Sequence, residues 1–87
     1  MSYPNGDLLQ PEMWEAVLEH LQLSGRLADV LQGAVAGATV GDIAAELGLS
    51  PHTVNSYLRQ LYARLGVHGR VELAGVVFGT ALRNGQA

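Results

Sequence analysis

One stretch of the chain carries side chains whose types and spacing suit the recognition of a polyanion. After Ser50-Pro51, the residues His52, Asn55, Ser56, Arg59, Ala63 and Arg64 fall on one side of a helical period. Val54, Leu58, Leu61, Tyr62 and Leu65 fall on the other, at i, i+4, i+7, i+8 and i+11. An amide, two guanidinium groups, hydroxyls and an imidazole are hydrogen-bond donors and acceptors, and their backing by an apolar stripe fixes the direction in which they project. The same inventory is poor in catalytic chemistry. There is no cysteine, which removes disulfides, thiolate metal sites and cysteine nucleophiles together. His20, His52 and His68 are too scattered, and too short of companion ligands, to suggest a metal. No nucleophile–base pairing or phosphate-binding loop is present. The expectation is a chain that binds, with no enzymatic activity, no cofactor and no metal.

The charge distribution agrees. The 87 residues carry a formal net charge of −3 and contain 5 basic residues, all arginine. Up to Leu49, Arg26 stands against seven acidic residues; from Ser50 onward, four arginines stand against Glu72 alone. An acidic average therefore conceals a basic second half, which is a reason to look for an anionic partner there.

The elements that must hold this polar face are helices throughout. Residues 1–10 read as an irregular lead with a turn at Pro4-Asn5-Gly6-Asp7. Pro11 suits the first position of a helix whose stripe is Met13, Trp14, Val17, Leu18 and Leu21, with Glu12, Glu15 and Glu19 largely off it. Ser24 is placed to cap a second helix carrying Leu27, Val30, Leu31 and Val35, which Gly37 ends. Thr39 caps a short third helix, with Asp42 in the position of a capping-box acid, and Gly48 ends it. Ser50-Pro51 opens the fourth helix and Gly66 stops it; a last helix runs from Gly69 or Arg70 to Arg83, terminated by Asn84-Gly85. The expected fold is all-α, with no strand pattern, no repeat and no segment long enough to span a bilayer.

Between the third and fourth helices the spacing becomes specific. From Val40, Ala44 lies four residues on, Gly48 eight and Val54 fourteen. A small residue permits a close helix crossing, a glycine permits a sharp bend, and a β-branched residue buries the inner face of the following helix. That is the spacing of a helix-turn-helix, which projects the N-terminal polar face of its second helix outward, where it can enter a major groove.

With this motif come Leu23-Ser24-Gly25-Arg26, Asp29-Val30-Leu31, Gly37 to Ala44, Leu47-Gly48-Leu49-Ser50, Thr53-Val54, Leu65-Gly66-Val67 and Arg70-Val71-Glu72-Leu73. In this order and spacing the chain resembles the LuxR/GerE-type DNA-binding domain of bacterial transcription regulators, from about Leu23 to Leu82. The resemblance implies a four-helix domain over residues 23–87, preceded by a lead and accessory amphipathic helix over 1–22. It implies a sequence-specific transcription regulator whose partner is double-stranded DNA, and the lack of a targeting or membrane segment makes a cytoplasmic protein the expectation. Base reading would fall to Asn55, Ser56 and Arg59, with Arg59 suited to guanine and Asn55 to adenine. Backbone positioning would fall to Thr39, Ser50, His52, Thr53, Gln60 and Arg64. Two positions that are commonly basic in the family are Gly41 and Asn55 here, so weaker DNA binding than that of a typical member is expected.

The last helix raises a second expectation. From Leu73 to Leu82 it is uncharged and apolar nearly all round, with Gly75 and Gly79 four apart. The resemblance implies a homodimer contact from this helix, with Val71, Ala74, Gly75, Phe78, Gly79 and Leu82 at the interface. The competing expectation is that the helix packs within one chain on the N-terminal helix, around Trp14. The acidic N-terminal helix is a candidate protein contact, and the Met1 start favours a stand-alone regulator over a fragment. A different functional class remains open beside DNA binding: a protein-interaction module on the same fold that pairs with, or antagonises, another regulator.

Overall fold

The computed structural model describes residues 9–85, with side chains through Arg83. The turn expected at Pro4-Asn5-Gly6-Asp7 lies outside the described residues. The helices are α1 (Pro11–Leu21), α2 (Gly25–Val35), α3 (Val40–Leu47), α4 (Pro51–Leu65) and α5 (Arg70–Gly85). The described residues contain no strand. All five helices fall where periodicity and capping put them. The last continues through Gly85 rather than stopping at Arg83, a difference of the size expected at a helix end that no proline blocks.

Local signals set these boundaries. Thr39 Oγ1 accepts the Asp42 N–H at 3.0 Å, and Ser50 Oγ accepts the Thr53 N–H at 3.1 Å, each satisfying an amide that the helix itself leaves without a partner. Pro11 and Pro51 open α1 and α4. Ser24 occupies the N-cap position of α2, but its side chain makes no capping bond. Gly25 follows it at φ +63°, which turns the chain away from the geometry a capping hydroxyl needs.

The first four helices end in one way. The amides of Leu23, Ala38, Leu49 and Val67 donate back to the carbonyls of Leu18, Gly33, Ala44 and Tyr62. The residue before each donor, respectively Gln22, Gly37, Gly48 and Gly66, is left-handed. These are Schellman closures, and the residue just past each one is apolar and turns inward. Three use glycine, the residue that adopts positive φ without steric cost. The fourth uses Gln22.

One core serves all five helices. Leu31, Ile43, Val54, Leu61, Leu73 and Val77 are fully buried, and Trp14 and Val17 of α1 belong to the same cluster. α4 packs on α2 and α3, while α5 packs most extensively on α1. The inward face of α5 is Leu73, Val77, Thr80 and Ala81, spaced i, i+4, i+7 and i+8. Packing of the last helix on the N-terminal helix within one chain is therefore what the fold shows. The opposite face of α5 stays uncovered: Val71 is 88% exposed and Leu82 62%. Gly75 is exposed with them, whereas Ala74, Phe78 and Gly79 are half-buried at the flanks.

Candidate nucleic-acid interface

Helices α3 and α4 pack against each other across a turn made by Gly48, at φ +69°. Ala44, 3% exposed, lies at the crossing, and Ile43, Val54 and Leu58 close the small core beneath it. With Val54, Leu58 and Leu61 buried, the 100° step of the helix leaves one direction free for the rest. His52, Asn55, Arg59, Gln60 and Ala63 are exposed there, and Thr53 and Ser56 are half-buried at the shoulders.

Two hydrogen bonds order this surface. Ser50 Oγ–H donates to Thr53 Oγ1 at 3.0 Å, so the first turn of α4 presents a fixed pair of hydroxyls. The Arg59 guanidinium donates through Nη2 to Ser56 Oγ at 3.2 Å. Ser56 and Arg59 are one turn apart, a spacing at which helical side chains meet. This bond holds the guanidinium against the helix surface and leaves its remaining donors available to a ligand. The spacing alone gave a signal for it, since serine and arginine at i, i+3 are within reach.

The arginines of the second half are used in different ways. Arg64 donates from Nη2 to the carbonyl of Gln22 at 3.1 Å, across 42 residues. It ties the last turn of the motif helix to the joint between α1 and α2. Arg70 donates to the carbonyl of Ala38 and fastens the start of α5 to the end of α2. No periodicity argument anticipates either bond, because both acceptors are main-chain carbonyls of turns. Arg59 alone stands in the middle of the exposed α4 face. In the first half, Arg26 pairs with Asp29 at 3.5 Å, and Glu12, Glu15 and Glu19 line the outer side of α1.

No group of three or more histidine, aspartate or glutamate side chains among the described residues is arranged to hold a metal. No described helix is long and apolar enough to cross a membrane.

The geometry of a buried crossing, a glycine turn and an outward polar helix coincides with a family match. Residues 21–77 fit the model of the bacterial regulatory proteins of the luxR family. The response regulator UvrY of Escherichia coli (strain K12) is 33% identical over 78 residues, covering 90% of this chain and 35% of UvrY. An alignment that long includes α1 wherever it begins. The transcriptional regulatory protein UhpA of the same organism is 45% identical over 56 residues, covering 64% of this chain and 29% of UhpA. The HTH-type transcriptional activator RamA of Corynebacterium glutamicum is 43% identical over 51 residues, covering 59% of this chain and 18% of RamA. The chain thus spans about a third or less of the length of these relatives. No solved structure matches. Matched over more than half its length, and with the helix-turn-helix that the match requires, the chain belongs to the luxR family of bacterial regulatory proteins.

Proposed function

We propose that the chain binds double-stranded DNA sequence-specifically as a cytoplasmic regulator of transcription, with α4 in the major groove, and acts as a homodimer through the outer face of α5. The observation that carries the reading is the exposed face of α4, where Asn55, Ser56 and Arg59 are held outward by a buried helix-turn-helix crossing. Arg59, steadied by Ser56, supplies a bidentate donor pair for guanine, and Asn55 an amide for adenine. Thr39, Ser50, His52, Thr53 and Gln60 flank them and position the backbone. Arg64 joins that set through the donors that its bond to the Gln22 carbonyl leaves available.

A second reading is favoured by what the same face lacks. Gly41 and Asn55 stand where basic residues are common in the family, and Arg64 is engaged within the fold. A protein-interaction module that pairs with another regulator would retain this scaffold and this shortage of charge.

Selection of duplexes from a randomised pool at low salt, followed by titration of the selected duplex, separates the two. Specific binding is expected, and Arg59→Ala is expected to weaken it by about 1–3 kcal/mol and to relax preference at one base pair. No enrichment at low salt, together with a stable complex with another regulator, would move the assignment to the second reading.

A further inference from the structure

Gln60 and Arg64 follow Thr53 by seven and eleven residues on α4. That spacing puts the three on one flank of the helix, in a strip about 40° wide and about 16 Å long. Thr53 is half-buried, and Gln60 and Arg64 are exposed. When a helix lies in a groove, a polar row on its flank faces the nucleic-acid backbone on that side rather than the base edges. Arg64 is the one cation of this row and stands at its far end.

The Arg64 guanidinium is not free to sweep. Its Nη2 donates to the carbonyl of Gln22 at 3.1 Å, and the other donors of the fork stay available. Such an exposed bond adds only modestly to stability, but it fixes a direction. The acceptor is unusual in its backbone. Gln22 has φ 58° and ψ 46°, and it is the one non-glycine residue with positive φ among the described residues. A right-handed residue there would continue α1 and point its carbonyl along the helix axis. The left-handed one turns the carbonyl aside, where Arg64 reaches it. The turn is held from the other side as well: the Gln22 N–H donates to the carbonyl of Glu19 at 3.1 Å, the Leu23 N–H donates to that of Leu18 at 2.9 Å, and Leu23 is buried.

We infer that Gln22 is a positioning residue for DNA binding: its left-handed carbonyl holds the Arg64 guanidinium on the flank of α4, directed at a backbone phosphate. The inference rests on the DNA reading above and adds to it a residue outside the helix-turn-helix. Ordering a long side chain on binding has an entropic cost, which is smaller for a group already held in place. The closure of α1 thereby contributes to affinity without touching the duplex.

Fluorescence anisotropy titration of the duplex selected by the wild type, across a salt series, tests this, with circular dichroism to verify folding. Arg64→Ala is expected to weaken binding and to make the slope of log K against log salt shallower by about one for each bound copy. Gln22→Val puts a β-branched side chain where the backbone must be left-handed. It is expected to displace the carbonyl and weaken binding roughly two- to tenfold, with the slope unchanged because the charge still meets its phosphate. In the Arg64→Ala background the same substitution is expected to have no further effect. Gln22→Gly keeps the turn and is expected to bind as the wild type does. Should Gln22→Val fail to fold, Arg64→Lys gives the same test: it keeps the charge and the slope, loses the planar fork, and is expected to bind more weakly. Gln22→Val that binds as the wild type does, or that weakens the Arg64→Ala protein as much as it weakens the wild type, would overturn the inference. So would Arg64→Ala with an unchanged slope, or Arg64→Lys with unchanged affinity. Specific binding that Arg59→Ala weakens, while the Gln22 and Arg64 variants match the wild type, overturns this inference and leaves the DNA reading standing. Wild type without specific binding overturns both.

Discussion

Gln22 occupies the position where the other three helix ends use glycine. Its φ of 58° is left-handed, a region that costs a non-glycine residue about 1–2 kcal/mol, and its side chain is exposed. Its carbonyl accepts from Arg64 and its amide closes α1, and both are main-chain functions that glycine preserves. Gln22→Gly is therefore expected to raise stability by up to about 1 kcal/mol, the relieved strain exceeding the extra freedom of the unfolded chain. Urea denaturation measures it, and a loss of stability would contradict the strain argument. The sequence holds no sign of this residue's conformation. A glutamine after an amphipathic stripe reads as surface, and only the return of Leu23 to Leu18 forces the left-handed turn. Arg59 is the opposite case. Its place on the exposed face follows from the period of Val54, Leu58 and Leu61, and only its bond to Ser56 adds to that.

At the scale of elements, α1 is integral to the core. Trp14 and Val17 share one cluster with Leu31, Leu61 and Leu73, and the inward face of α5 has α1 as its main neighbour. Trp14→Ala is accordingly expected to cost about 3–5 kcal/mol and to lower the midpoint of one cooperative transition, followed by tryptophan-independent circular dichroism against urea. A cost below about 1 kcal/mol, or a separate early transition for α1, would show that α1 is a mere appendage. Helix positions were legible because caps, prolines and glycines mark both ends of nearly every element. Which face of α5 meets α1 was not. Leu73 to Leu82 is apolar nearly all round, so its period names no preferred side, and only the packing of α1 on α5 in the folded core decides it. The outward arginines of the second half were legible as charge. That two of them are spent on turn carbonyls was not, since hydrogen bonds to main-chain acceptors leave no pattern in side-chain types.

For the whole molecule, the net charge of −3 bears on the proposed binding of DNA. Phosphate neutralisation contributes a slope of about −0.9 in log K against log salt for each contact. With Gly41 and Asn55 uncharged, Arg59 and Arg64 are the arginines of α4, and Arg64 keeps its charge although it is held at the Gln22 carbonyl. Two copies on one duplex are expected to show a slope shallower than about −5, measured by fluorescence anisotropy across a salt series. A slope near −8 or steeper would mean that basic side chains elsewhere wrap the duplex, and would place the interface beyond α4.

The pairing of the first helix with the last has a consequence for how the chain is made. During synthesis α1 emerges before everything it packs against. α1 stays without the element it packs on most extensively until α5 has cleared the ribosome. The segment α2 to α4 carries its own mutual contacts and its own helix stops, so it can assemble while translation proceeds. α1 thus docks only once α5 is present, and a chain cut short before α5 leaves the apolar stripe of α1 without its main cover.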